Sequence, residues 1–293
     1  MSLDLPVWYT TAWRDQTTHI YQRQGFTLGE TVMPPHEVRG EKLIFRLLGR
    51  GSAERDVGRG EIVKEDNPIL TKVELTTKKT RFGFFVDEDD LDLTDLGPAV
   101  ISSHSEAGAM EMGRVHDDII MAEMEAAATA GDEVGAFTTP IDPEVLLLAK
   151  QKLMKNHVSV RDGQVYAGID SVSWNVCLGF KQFANSDWQG PNLPFVSGAL
   201  AKTWNGINVF VLDDELFPRG ADNTELNAFM WHKSAFGFGS LYNPPMRASG
   251  AWQENRSGWL HTLRHRYGAK ALQPNGIIRM KGDYDPAHIS LTA

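Results

Sequence analysis

The sequence predicts an α+β chain, on three observations. Residues 41–86 alternate and carry many charges, with too little apolar material to build a core of their own. A long acidic, methionine-rich stretch with helical periodicity follows, over residues 103–130. From residue 142 onward, helix caps, turn signals and short apolar runs succeed one another, the texture of mixed helix and strand.

Taken in order, residues 8–23 can form a short amphipathic helix with Trp8, Trp13, Ile20 and Tyr21 toward one side. Gly25, Gly29 and the Pro34-Pro35 pair end it and favour an extended arm. The aromatic side can dock on its own domain or on a neighbour, and the sequence leaves both open. Residues 41–48 read as a strand and 70–78 as its return, with Arg50, Gly51, Gly58 and Gly60 loosening the tip. Lys42, Arg46, Arg50, Arg55, Arg59 and Lys64 balance Glu41, Glu54, Asp56, Glu61, Glu65 and Asp66 there. A two-stranded ribbon is marginal by itself in water, so it needs support from elsewhere. Its charges discourage indiscriminate edge pairing. The alternative is a flexible surface loop.

Phe82, Phe84, Phe85 and Val86 lead back to compact structure. Ser103 and Glu106 make a capping-box pattern that opens a helix running to about Ala130, ahead of Gly131. Met112, Val115, Ile119, Ala122 and Ala126 recur at helical spacing, with Ile120 and Met124 on the shoulder. Glu111, Arg114, Asp118 and Glu125 take the opposite side, and Asp117 with Asp118 reads as a solvated face. Gly108 and Gly113, each costing about 1 kcal/mol relative to Ala in a helix interior, mark a bend or a close contact. Asp142 and Pro143 cap a second helix that runs to about Asn156. Asp162-Gly163 signals a hairpin between 158–161 and 165–169. Beyond it, 171–183 reads as helix, 207–212 as a buried strand, 225–231 and 258–267 as helices, and 276–280 as the closing strand.

At 293 residues, 42% hydrophobic and 23% charged, the chain is long enough for one large or two modest domains. A formal net charge of −9 argues against a binder that works by neutralising nucleic-acid phosphates. The charge is unevenly placed. Residues 87–133 hold fourteen acidic residues against Arg114 alone, and 247–281 hold seven basic residues against Glu254 alone. Two such segments can complement each other within or between molecules. Cys177, the only cysteine, lies in an apolar run and reads as a small buried hydrophobe, with no disulfide framework or thiolate zinc site in one chain. Residues 1–9 lack the features of a signal peptide, and no apolar run is long enough to span a bilayer. A soluble protein made in a reducing cytoplasm, without membrane association, is expected.

Few patterns point to chemistry. Neither a Walker-type loop nor a GxGxxG turn is present, and Phe236-Gly237-Phe238-Gly239 reads as strand and turn. His116-Asp117 offers a metal-dependent hydrolase as the rival from another class. Asp117 and Asp118 on a solvated face are the plainer reading. His261 and His265 stand four apart, but Arg264 and Arg266 beside them suit a basic contact surface better than a cation site. His232-Lys233-Ser234 invites a nucleophile, yet no GxSxG surrounds the serine and the sequence identifies no acidic partner. No carboxylate pair stands out for glycoside hydrolysis. No cofactor, metal site or catalytic residue is expected, and the chain reads as a structural protein rather than an enzyme.

The order of parts resembles the major capsid protein of tailed bacteriophages, with its Hong Kong 97-type fold, across nearly the whole chain. The likeness rests on the arm, the charged hairpin and Arg114-Val115-His116-Asp117-Asp118-Ile119-Ile120 in the long helix. It continues through Trp204-Asn205-Gly206 before the strand 207–212, then Trp231-His232-Lys233-Ser234-Ala235, Tyr267-Gly268-Ala269 and Gly276-Ile277-Ile278. The resemblance implies an N-terminal arm (1–39) and an extended E-loop (40–86). It also implies a peripheral domain on a spine helix (87–140 and 262–293) and an axial domain (141–261). It implies icosahedral shells of pentamers and hexamers around double-stranded DNA, in the virion after assembly in the host cytoplasm, with a portal protein as partner. An encapsulin-like compartment shell is the structural alternative. The arm begins within a few residues of Met1, so a separate scaffolding protein is expected. The Arg-rich tip, with Lys64 the nearest lysine, makes covalent crosslinking doubtful. Candidate intersubunit contacts are Arg46, Arg50, Arg55, Arg59, Lys64, Trp8 and Trp13. Gly108, Gly113 and the hairpin base are candidate hinges, and Asp117, Asp118 and Glu125 a candidate inner wall.

Overall fold

The computed structural model describes residues 23, 25–37, 42–53, 59–60, 62, 65–88, 97–128, 132–180, 183, 201–219, 224–241 and 246–285. The expected helix at 8–23, including Trp8 and Trp13, lies outside the described residues except for Arg23, and Arg55 and Lys64 lie outside them too. The strands are β1 (His36–Glu37), β2 (Lys42–Leu48), β3 (Leu70–Thr76), β4 (Lys78–Asp87), β5 (Glu133–Gly135), β6 (Val165–Ile169) and β7 (Ala201–Trp204). They continue with β8 (Ile207–Val211), β9 (Glu225–His232), β10 (Phe236–Ser240), β11 (Met246–Gln253), β12 (Gly258–Ala271) and β13 (Ile277–Asp283). The helices are α1 (Gly97–Ala127), α2 (Pro143–Lys155) and α3 (Ser171–Gly179).

The strands form three sheets. A six-stranded mixed sheet has the order β5-β13-β9-β6-β8-β7, and a five-stranded sheet the order β1-β10-β12-β11, with β4 also paired to β12. The third is the isolated ribbon β2-β3, whose register sets Lys42 opposite Thr76 and Leu48 opposite Leu70. That hairpin is where the alternation placed it. One continuous core joins the six-stranded sheet to α1, running from Trp231, Phe229, Leu146 and Ile278 to Ile120, Met121 and Met124. Cys177 is buried within it, where desolvation pushes the thiol pKa up.

The helix α1 begins at Gly97, earlier than the Ser103 cap expected from sequence, so Ser103 and Glu106 lie inside it. Pro98 suits that earlier start, because a fixed φ and a missing N–H cost nothing in a first turn. The 31 residues span about 46 Å. Its buried stripe is Met112, His116 with Asp117, Ile120 with Met121, and Met124, while Ala122 and Ala126 face solvent. The stripe is rotated by part of a turn from the one that the apolar residues alone predict, because two of its members, His116 and Asp117, are polar. Gly108 and Gly113 are sites of close approach. A Cβ on Gly108 would lie 2.7 Å from Leu263 Cδ1, and one on Gly113 2.7 Å from Phe26 Cδ2.

The second helix forms as its cap residues require. Asp142 accepts the Val145 N–H at 2.8 Å, Pro143 opens the first turn, and Asn156 closes the last. Three other expectations are corrected. Residues 225–232 are the strand β9 rather than a helix. Flanked by β13 and β6, it is buried on both faces, so its apolar run carries no period. Residues 258–271 are the strand β12, not a helix. Leu263, His265 and Tyr267 alternate inward, and the middle one, being a histidine, hid the period of two. Asp162-Gly163 is a turn, with Gly163 at φ 70°, but not a hairpin turn: the strand it leads into, β6, pairs with β8 and β9 instead of with 158–161.

Candidate intersubunit surface

The register of β2 and β3 sorts the ribbon into two faces. Leu43, Phe45, Leu47, Val73 and Leu75 share one, and Lys42, Ile44, Arg46, Leu48, Leu70, Lys72 and Glu74 share the other. Its root is anchored in the body. Leu75 is fully buried, Phe45 meets His36 edge-on at 5.5 Å, and only the missing side chain of Gly237 leaves room for the Phe45 ring. Beyond the root the ribbon continues past its strands. The Gly49 N–H donates to Ile69 O at 2.8 Å, and the Ser52 N–H donates to the Asp66 carboxylate, which lowers that group's pKa.

The outer part of this ribbon is apolar in a way its charges conceal. Leu48 is 70% exposed and Ile69 80%, with Ile44, Ile62 and Leu70 exposed beside them. Fully burying an aliphatic side chain contributes about 1.5–3 kcal/mol, so this cluster forgoes several kcal/mol in an isolated subunit. The charged positions add a second incentive. Lys42 is paired with Glu74 at 2.8 Å, whereas Arg46 stands directly opposite Lys72, a like-charge cross-strand pair that an acidic neighbour would relieve. Among the sequence candidates, Arg46, Arg50 and Arg59 are exposed on this ribbon. A groove of about 450 Å³ separates its base from α1 and carries Glu74, Lys78, Asp118 and Glu123.

The inner part of the expected arm behaves differently. Residues 25–37 are woven into the body of their own subunit. Leu28 and Val32 enter the core, and Thr31 O accepts the Trp231 indole N–H at 3.1 Å. Gly25 crosses α1 at Gly113, where Phe26 N donates to Gly113 O at 3.3 Å. The clasp is Asp117, which is 1% exposed. Its carboxylate accepts from Thr27 N at 2.9 Å, Thr27 Oγ1 at 2.7 Å and Leu28 N at 3.1 Å, with His116 Nδ1 at 3.2 Å. Burial pushes this carboxyl up, but the hydrogen bonds from His116, Thr27 and Leu28 outweigh it and hold the pKa below the usual value. Arg23 adds an ion pair to Asp118 at 2.6 Å and a bond to Arg114 O at 3.2 Å.

These contacts correct the reading of His116-Asp117 and of the acidic wall. Asp117 is a buried acceptor, not part of a solvated face, which leaves Asp118 and Glu125 exposed and the first of them paired with Arg23. His116 is enclosed by Phe26, Phe238 and Tyr267 with ring centroids 4.9–5.2 Å away. Among the described residues no group of three or more potential ligands gathers to hold a metal. His261 and His265 sit on a strand, one stacked on Phe84 at 5.1 Å and the other, fully buried, on Tyr267 at 4.3 Å. Desolvation and the nearby His116 push His265 down to about 4. The two oppositely charged segments meet inside the molecule, through Lys270 with Glu123 and through Arg279 and Lys281 with Glu133.

A family model described as phage capsid protein matches residues 5–283. No curated protein matches the sequence. Among solved structures, the capsid of cyanophage P-SCSP1u aligns with a TM-score of 0.74 at 13% identity, covering 96% of this chain and 93% of that one. The capsid of cyanophage Pam1 aligns with a TM-score of 0.74 at 10% identity, covering 97% and 99%. The capsid of Ralstonia phage GP4 gives 0.70 at 11% identity, covering 94% and 95%. At such identities the likeness shows a shared fold across nearly the whole length.

Proposed function

The chain belongs to the phage capsid protein family, and from that membership we propose that it is the major subunit of a tailed-phage head shell. Copies self-assemble as pentamers and hexamers into an icosahedral capsid that encloses double-stranded DNA, so the protein works as a structural subunit of the virion and not as an enzyme. The observation that carries the mechanism is the ribbon, anchored at Leu75 and Phe45 and carrying exposed Leu48, Ile69 and Leu70 outward. Covering that surface requires another molecule, and another copy of the subunit is the partner that repeats at every position of a closed shell. We assign the ribbon (40–86) as the E-loop that lies on a neighbour. Arg46, Arg50, Arg55, Arg59 and Lys64 face its acidic groups, and Trp8 and Trp13 of the outer arm (within 1–39) make a second contact.

The body divides into a peripheral part on α1 (87–140 and 262–293) and an axial part (141–261), tied together by β13, which pairs with both β5 and β9. A separate scaffolding protein and a portal protein are the proposed assembly partners in the host cytoplasm, and the DNA is contained without sequence-specific contact. The test is co-expression with the scaffolding protein, read by sedimentation and negative-stain microscopy. Megadalton hollow particles are expected from the wild type. The Leu48→Asp/Leu70→Asp double variant should keep its circular dichroism and melting temperature yet remain as small oligomers. Particles formed equally well by the double variant would remove the ribbon from the mechanism, and a wild type that stays small would count against the shell.

A further inference from the structure

The cluster around His232 has no part in the contacts assigned above. His232 ends β9, and its side chain is 8% exposed. The Ser234 backbone N–H donates to His232 Nδ1 at 3.2 Å, which fixes that nitrogen as an acceptor and leaves the proton on Nε2. The same tautomer satisfies both remaining contacts. Nε2–H donates to Asp162 Oδ2 at 3.0 Å, and the Ser234 hydroxyl lies 2.7 Å from Nδ1, placed to donate to it. Asp162 comes from the turn before β6, seventy positions away, and is the acidic partner that sequence could not identify. Burial pushes its carboxyl up, but the bonds from His232 and the Gln164 N–H outweigh that and hold its pKa below the usual value, so it stays anionic at neutral pH. Carboxylate, imidazole and hydroxyl therefore stand in the order that activates a serine nucleophile, with the two ring nitrogens exchanged relative to the familiar arrangement.

The serine also has room for a reactant. A cavity of about 310 Å³ is lined by His232, Ser234, Asn156, Ser159, Gln273 and Asn275. That volume suits a small acyl or phosphonyl group, and its rim includes the exposed polar residues Gln273 and Asn275. Local capping of the turn that follows β9 explains the Ser234 N–H contact, but it requires neither Asp162 nor the hydroxyl.

We propose that Ser234 is an activated nucleophile and a site of covalent modification by acyl and phosphonyl electrophiles. In the acyl case Ser234 Oγ forms a bond to the carbonyl carbon of an activated ester while its proton passes to His232 Nδ1. The ester C–O bond then breaks, and the leaving oxygen takes that proton from His232. The product is an O-acyl serine, with no oxidant or cofactor required. With a fluorophosphonate the P–O bond forms, the P–F bond breaks, fluoride leaves, and the proton passes through His232 to solvent.

The experiment treats the full-length protein with a fluorophosphonate probe and maps adducts by peptide mass spectrometry over time. A single adduct on Ser234 is expected, forming about 100-fold faster than on exposed Ser249, the scale that a positioned general base supplies. Ser234→Ala should abolish it, and Asp162→Asn should slow it about tenfold or more with melting temperature retained. The absence of a Ser234 adduct, or labelling as slow as at Ser249, overturns the proposal. So does a rate unchanged by Asp162→Asn. Shell formation is read separately by particle counts, so neither result depends on the other.

Discussion

Asp117 is buried on α1 with three donors from residues 27 and 28 aimed at it, and what it does follows from that count. A buried carboxylate satisfied by several N–H and O–H groups is stabilised as an anion, whereas removing it strands the donors. Asp117→Ala should cost about 3 kcal/mol, and amide exchange in residues 25–32 should rise well above that in β9. Exchange that rises uniformly, or not at all, would show that the clasp lies elsewhere. His265 gives a pH signature of opposite chemical type. Its folded pKa lies below the ordinary value of 6.5, at about 4, so the unfolded chain binds the proton more readily. Stability is therefore intact above pH 6.5 and falls as the pH drops toward 4. At about 1.4 kcal/mol per pH unit the scale is about 3 kcal/mol. Denaturant titrations should show that slope in the wild type and its loss in His265→Phe. Asp117, with its depressed pKa, contributes stability that is fully present above the ordinary carboxylate range and is lost only as the pH falls through that range, below the window in which His265 acts. Neither residue was legible in the sequence. A polar side chain reads as exposed until its partners are known, and those partners lie about ninety positions away for Asp117 and on another element for His265.

Elements announced by local chemistry were legible. The Asp142-Pro143 cap, the alternation of β2 and β3 and the buried strand β8 each carry their signal within a few residues. The strands β9 and β12 were not: in β9 both faces are covered and the period is erased, whereas β12 keeps a period of two that is masked by the polar His265 at one of its inward positions. The ribbon's charges are legible in the sequence, whereas the exposure of Leu48, Ile69 and Leu70 is legible only once the strand register is known. Helix α1 holds a prediction of its own. Gly113 lets Gly25 and Phe26 approach the helix backbone, so a methyl group there collides with Phe26. Gly113→Ala would gain about 1 kcal/mol of helix propensity on an open surface. Here it should lower the melting temperature instead, and an unchanged or raised value would show that this crossing yields easily.

At the level of the whole subunit, the earliest described residues are core, not accessory. Deleting residues 1–40 removes Leu28 and Val32 from the interior and leaves the Trp231 indole N–H without its acceptor at Thr31. Two aliphatic side chains at about 1.5–3 kcal/mol each and an orphaned donor at about 1–3 kcal/mol should lower the melting temperature by roughly 10 °C or more. A truncated subunit that melts normally and fails only to assemble would place the whole segment at the interface. The family resemblance implies an arm over all of 1–39, and Gly25, Gly29 and Pro34-Pro35 mark irregular backbone within it. Irregular backbone says nothing about which surface it rests on.

The strand β13 lies between β5 and β9, so the six-stranded sheet is closed by nearly the last described residues to be synthesised. A chain still emerging from the ribosome holds β9 with one edge open and β5 with no neighbour. The core that seats Leu28, Val32 and Trp231 cannot shut until translation has passed Asp283. Only polypeptides synthesised past Asp283 can then hold a closed body, so partial products lack the packed core of a full subunit.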